Sequence, residues 1–122
     1  MFLVFLPPAL AEDPPVASPD PHAELWAAAR QIQAEPEIKL RSQLRREEIP
    51  AGVSTLPAEG RVCRVDILLD PRGTPIDTQA LACDPILYPS AQAVAMRYRF
   101  YPLVVEGRRV HAHFWLDVSF AG

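Results

Sequence analysis

The sequence predicts an α+β fold, with two strands, a helix and a long last strand in chain order, preceded by one or two N-terminal helices. Three observations carry this. Apolar and polar residues alternate over residues 61–69 and again over 110–120, the period of a half-buried strand. Between them Leu87, Ala91, Val94 and Tyr98 recur at helical spacing. Proline and glycine stand at the joints, in Ile49-Pro-Ala-Gly52, Asp70-Pro-Arg-Gly73 and Glu106-Gly107, where turn chemistry favours them. A chain of 122 residues is one domain's worth, and a domain of this size buries roughly two thirds of its unfolded surface.

Residues 1–11 are apolar and close on Ala9-Leu10-Ala11, the small-x-small pattern after which signal peptidase cuts. They read as a truncated signal peptide or anchor remnant. No Lys or Arg precedes the apolar run, and it is far short of the about 20 residues that span a membrane. A frayed apolar end of a cytosolic chain is the alternative. Residues 12–21 hold two acids before Asp20 and four prolines; they can neither form a helix nor bury much, and read as a Pro-rich tether.

Residues 22–48 form the expected helical lead-in. Leu25, Trp26, Ala29 and Ile32 have helical spacing over residues 22–34, with Asp20 as cap and Pro21 at a tolerated position. A second helix is expected over residues 36–48, where Ile38, Leu40 and Leu44 give a narrow apolar stripe among arginines.

Residues 49–122 form the main domain. Cys63, Val65, Ile67 and Leu69 face one way in its first strand, while Arg64, Asp66 and Asp70 face the other. Asp70-Pro-Arg-Gly73 is a turn with proline second and glycine fourth. A second strand follows to about Ala82. The helix comes next, capped by Asp84 or Ser90, with Pro85 and Pro89 suited to a first turn. Tyr101-Pro102 stops it, a short strand covers residues 103–105, and Glu106-Gly107 turns into the last strand. There Val110, Ala112, Phe114, Leu116, Val118 and Phe120 share one face, while His111, His113, Trp115, Asp117 and Ser119 share the other. A strand in this position completes a sheet or forms its edge, and an edge offers unpaired amides and carbonyls to another peptide.

Composition excludes some functions. A formal net charge of −3 with arginines interleaved among acids lacks the basic footprint of a nucleic-acid binder. No nucleophile elbow, phosphate-cradling glycine loop or catalytic carboxylate pair is present, so the chain reads as non-enzymatic, without catalytic residues or cofactor. His111 and His113 could hold a metal together, but Asp117 lies roughly 13 Å from His113 at strand rise, so no metal site is expected. Cys63 and Cys83 flank one hairpin and, in an exported protein, would be oxidised to a structural disulfide. The alternative is two separate thiols, Cys83 at the helix head being the reactive one and the basis of a thiol oxidoreductase.

Gly60, Val62, Asp70 and Gly73, then Arg97, Arg99, Phe100 and Pro102 at the helix end, then Gly107 and the closing Phe120 resemble, in order and spacing, the TonB C-terminal domain family. The two cysteines resemble a disulfide-bearing branch of it. The resemblance covers about residues 50–121. It implies a three-stranded antiparallel sheet with one packed helix, in the order β-β-α-β, and a periplasmic location, tethered to the inner membrane where an anchor precedes the chain. It further implies relay of force from inner-membrane motor proteins to outer-membrane TonB-dependent receptors in transmembrane transport. The receptor peptide would be taken up by strand addition along the last strand, Val110, His111, Ala112, His113, Phe114, Trp115, Leu116, Asp117 and Val118. Residues 12–21, extended, reach only about 30 Å, far less than a periplasm-crossing linker. The competing expectation is a structural or assembly module, its sheet edge covered by its own N-terminal helices or by a second copy in a homodimer.

Overall fold

The computed structural model describes residues 20–120; the expected signal or anchor segment and most of the tether lie outside the described residues. The protein is a small α+β domain built from helix α1 (Ala23–Arg30), strand β1 (Ile38–Leu40), strands β2 (Val62–Leu69) and β3 (Pro75–Leu81), helix α2 (Tyr88–Met96), the short strands β4 (Arg99–Phe100), β5 (Val104–Val105) and β6 (Arg108–Arg109), and β7 (Ala112–Ser119). Among these residues no helix is long and apolar enough to cross a membrane.

The main sheet is antiparallel with the order β3-β2-β7. β2 and β3 join through the Asp70–Gly73 turn, in which the Gly73 amide donates to the Asp70 carbonyl at 2.9 Å. The Asp70 carboxylate accepts from the amides of Arg72 and Thr74 at 2.8 and 3.0 Å. Gly73 adopts φ +91°, and a Cβ there would lie 2.1 Å from the Phe100 carbonyl oxygen. Only glycine fits, because the turn is clamped against β4.

β2 is the central strand and is covered on both faces. Cys63, Val65, Ile67 and Leu69 join Leu87, Ala91, Val94, Ala95, Phe100, Val118 and Phe120 in the main core under α2. Leu68, on the other face, packs with Trp26 and Ala29 of α1. The expected solvated face of β2 is corrected in part: Arg64 is exposed as its position suggests, whereas Asp66 is fully buried beneath α1, since the middle and end of the strand lie between two helices. α2 begins at Tyr88, later than a cap at Asp84 implies, and ends at Met96 rather than at Tyr101, because Arg99–Phe100 pairs with β1 as β4. Asp84 accepts from the Ile86 amide at 3.1 Å, and a 3-10 turn over Pro85–Leu87 leads into the helix.

The lead-in differs most from expectation. α1 ends at Arg30 rather than residue 34, once Trp26 and Ala29 have reached the sheet and with Pro36 ahead disfavouring helix at Glu35. The second expected helix does not form. Ile38–Leu40 is instead a strand paired with β4, and only Arg46–Glu48 makes a 3-10 turn. Ile38 and Leu44 reach the core from this extended path, and the Tyr101 amide donates to the Glu37 carbonyl at 2.9 Å. A narrow apolar stripe gives a helix little to bury, whereas β4 offers backbone partners. Residues 104–109 close as their own β5–β6 hairpin. β7 therefore begins at Ala112, and Val110 and His111 precede it.

Candidate functional site

β7 pairs with β2 on one side only, so its other side is a free sheet edge. The register decides which backbone groups that edge presents. The Phe120 amide donates to the Arg61 carbonyl at 2.8 Å. With Val62 opposite Ser119 and Cys63 opposite Val118, antiparallel alternation points the amides and carbonyls of Ala112, Phe114, Leu116 and Val118 at β2. Those of His113, Trp115, Asp117 and Ser119 point outward. Among the described residues, no hydrogen bond to these outward groups is found. Of the predicted edge strand, the residues from Ala112 to Val118 are thus brought together with alternating roles, while Val110 and His111 lie before it.

The side chains around the edge are unevenly occupied. Trp115 is 41% exposed and offers an apolar surface beside the outward amides. Asp117 pairs with Arg64 of β2 at 3.2 Å. His113 turns away from solvent, and its Nδ1 lies 2.9 Å from Asp66 Oδ1. The other Asp66 oxygen accepts from Arg30 Nη2 at 3.2 Å, and the same nitrogen donates to Gln79 Oε1 at 2.9 Å. Arg30 stacks 4.6 Å over Trp26, whose indole N–H donates to Asp77 at 2.8 Å. One helix is thereby tied to all three strands of the sheet, and His113 brings the edge strand into that network.

Sequence reasoning places Asp66 and His113 on a solvated face and gives Arg30 no role. The available signal was the spacing of Trp26, Ala29 and Arg30, which puts an aromatic, a small residue and a cation on one helical face. The run Ile67-Leu68-Leu69 also reads as a strand buried on both faces.

Near the end of β7 the edge is flanked by other elements. Asp117, Val118 and Ser119 line a cleft of about 150 Å³ with Ser42, Leu44, Val94 and Tyr98. The segment after β1 thus stands beside the last two outward positions. On the far side of this segment, Arg97 at the end of α2 binds Glu48 and the Gln43 carbonyl. That hydrogen-bonded pairing holds the Glu48 carboxyl below its usual range and raises Arg97.

Cys63 and Cys83 are joined in a disulfide with Cα atoms 4.9 Å apart, so the reading of two separate thiols is set aside. The bond ties the start of β2 to the loop before α2. Ala82, at φ 70°, turns the chain so that Cys83 comes back to the strand. Among the described residues, Asp20, His22 and Asp77 bring ligand atoms within 4.8 Å of one another. Asp77 is already engaged by Trp26, and Asp20 accepts from the His22 amide at 2.8 Å in the turn before α1; the expected cap at Asp20 does not form, because His22 holds the N-cap position without a side-chain cap hydrogen bond.

No protein-family model, curated protein or solved structure matches this chain at a significant level.

Proposed function

We propose that this chain is a non-enzymatic peptide-capture module of the TonB type, acting in the periplasm. It takes up an extended segment of an outer-membrane TonB-dependent receptor as an added strand along β7, in the service of transmembrane transport. Where an anchor precedes the chain, inner-membrane motor proteins are the further partners. The observation that carries this reading is the outward set of backbone groups on His113, Trp115, Asp117 and Ser119 of an unpaired edge strand. Four donors and four acceptors in register give main-chain affinity, and Trp115 gives an apolar side-chain contact. The sheet order β3-β2-β7 with α2 against one face agrees with the β-β-α-β arrangement of that family and supports the assignment.

The test is Trp115→Pro beside Trp115→Ala, titrated with peptides from the N-terminal segments of such receptors. Proline removes one outward N–H without touching a bond to β2. Binding is expected to vanish in the proline variant and to weaken only partly in the alanine variant, with both folded. Equal binding by Trp115→Pro and the unaltered chain would sink the proposal.

A second reading has its own support. Ser42 and Leu44 stand beside Asp117 and Ser119, so the chain's own lead-in screens part of the edge. On that reading the domain is an assembly module, closed in the monomer or paired with a second copy, and edge amides would resist exchange without any peptide.

A further inference from the structure

At the opposite end of β2 from the disulfide, the Asp70–Gly73 turn, β1 and β4 enclose a cleft of about 390 Å³ lined by Lys39, Leu40, Arg72, Gly73, Thr74 and Arg99. Three cations line one cleft, and no carboxylate does. Among the described residues none of the three forms an ion pair, whereas Arg30, Arg64 and Arg97 elsewhere each hold an acid. Asp70, two residues before Arg72, spends its carboxylate on the turn amides of Arg72 and Thr74, and Glu37, two residues before Lys39, is exposed and forms no ion pair with it among the described residues. The frame is stiff, because the Phe100 amide donates to the Gly73 carbonyl at 3.0 Å and the Gly73 approach leaves no room for a Cβ. Arg99 spends one nitrogen on the Met96 and Tyr98 carbonyls at the end of α2 and retains further donors for a ligand.

Apolar side chains stand at the same place. Leu40 is 59% exposed and Tyr101 50%, and Lys39 Nζ lies 5.8 Å over the Tyr101 ring. Unpaired cations beside an exposed leucine and a tyrosine ring match the boundary between phosphate headgroups and acyl chains, where cations meet phosphate and aromatic rings stay half wet. An acidic peptide would use the cations and leave the apolar pair idle. We propose that this cleft is a phosphate-group site through which this end of the domain rests on an anionic lipid surface. The site lies apart from the outward groups of β7 and stands whether or not that edge captures a peptide.

The experiment is flotation of the full oxidised chain with vesicles of phosphatidylcholine alone, and with about one third phosphatidylglycerol, at low and high salt. The variants are Lys39→Gln/Arg72→Gln and, as a control of equal charge change at exposed positions on α1 and just past its end, Ala27→Glu/Gln31→Glu. The unaltered chain and the control are expected to float with the anionic vesicles only, and less at high salt. The paired glutamine variant is expected to lose about 25-fold in partitioning, about fivefold for each cation removed. Its thermal transition serves as the check that it folds. Equal partitioning of the glutamine variant and the control would overturn the proposal, as would failure of the unaltered chain to float. So would shifts of the residue 72–74 amides with inorganic phosphate or an acidic peptide unaccompanied by flotation, because the site would then serve another anion.

Discussion

Asp66→Ala strikes the point where α1, β2 and β7 meet. The carboxylate is fully buried, while His113 is 19% and Arg30 44% exposed at the side chain. Hydrogen bonds involving a charged group contribute about 1.5–3 kcal/mol each. The half-exposed Arg30 regains water when released, which puts its share at the low end. His113, held under α1, regains little and keeps the upper share. The expected loss is about 4–4.5 kcal/mol, within the range for removing one member of a buried ionic group. Denaturant unfolding of the full chain measures it, with β7 and α1 loosening together. A double-mutant cycle with His113→Ala separates the pair from the general effect of truncation, since residues sharing a hydrogen bond do not add. A loss below about 1 kcal/mol, or strict additivity in the cycle, would refute the assignment of Asp66 as the tie between helix and edge strand.

Three further outcomes follow from the structure. Replacing Cys63 and Cys83 together by alanine opens a loop of sequence separation 20; the chain-entropy relation gives a loss of about 3 kcal/mol, read as a fall of about 12–25 °C in the thermal transition. Gly73→Ala must push its Cβ against the Phe100 carbonyl at a left-handed φ, so that variant should be destabilised by several times the about 1 kcal/mol of an ordinary glycine position, as calorimetry would register. Glu48→Gln removes a carboxylate whose folded pKa is lowered by Arg97; a depressed carboxyl stabilises above its unfolded pKa and ceases to do so as pH falls through the folded one. The variant should therefore be less stable than the unaltered chain by about 1 kcal/mol at neutral pH, and the gap should close below pH 4.5, the ordinary value for this group. A gap that widens in acid would contradict the pairing.

The parts of the fold written as strict periodicity were legible. Alternation set β2, β3 and β7 to within a residue or two at most ends, and Asp84 with two prolines marked the turn that leads into α2. The disulfide was legible too, since two cysteines flank a single hairpin. What failed was the lead-in, where tertiary partners outweighed local pattern. Ile38 and Leu40 have a spacing that suits either a weak helix or a strand, and only the presence of β4 decides between them. The Glu106-Gly107 turn is legible in the sequence, but the short pair it closes, β5 with β6, is not, since two residues on a side carry no alternation to mark a strand. The candidate edge was legible as a strand, and the alternation of its inward and outward backbone groups followed once its register with β2 was known. Asp66 was misread because polarity alone marks a face as wet, and here a second helix supplies the countercharge that allows a carboxylate to be buried.

Peptide capture requires that the outward side of β7 accept a partner strand, and amide exchange of the full oxidised chain, with and without a receptor-derived peptide, tests this most directly. Without peptide, Phe114, Leu116 and Val118 should be protected while His113, Trp115, Asp117 and Ser119 exchange freely. Peptide should confer protection on that second set alone. Protection of all seven before any peptide is added would mean that the edge is already covered, and continued free exchange of the second set in saturating peptide would mean that β7 does not capture a strand.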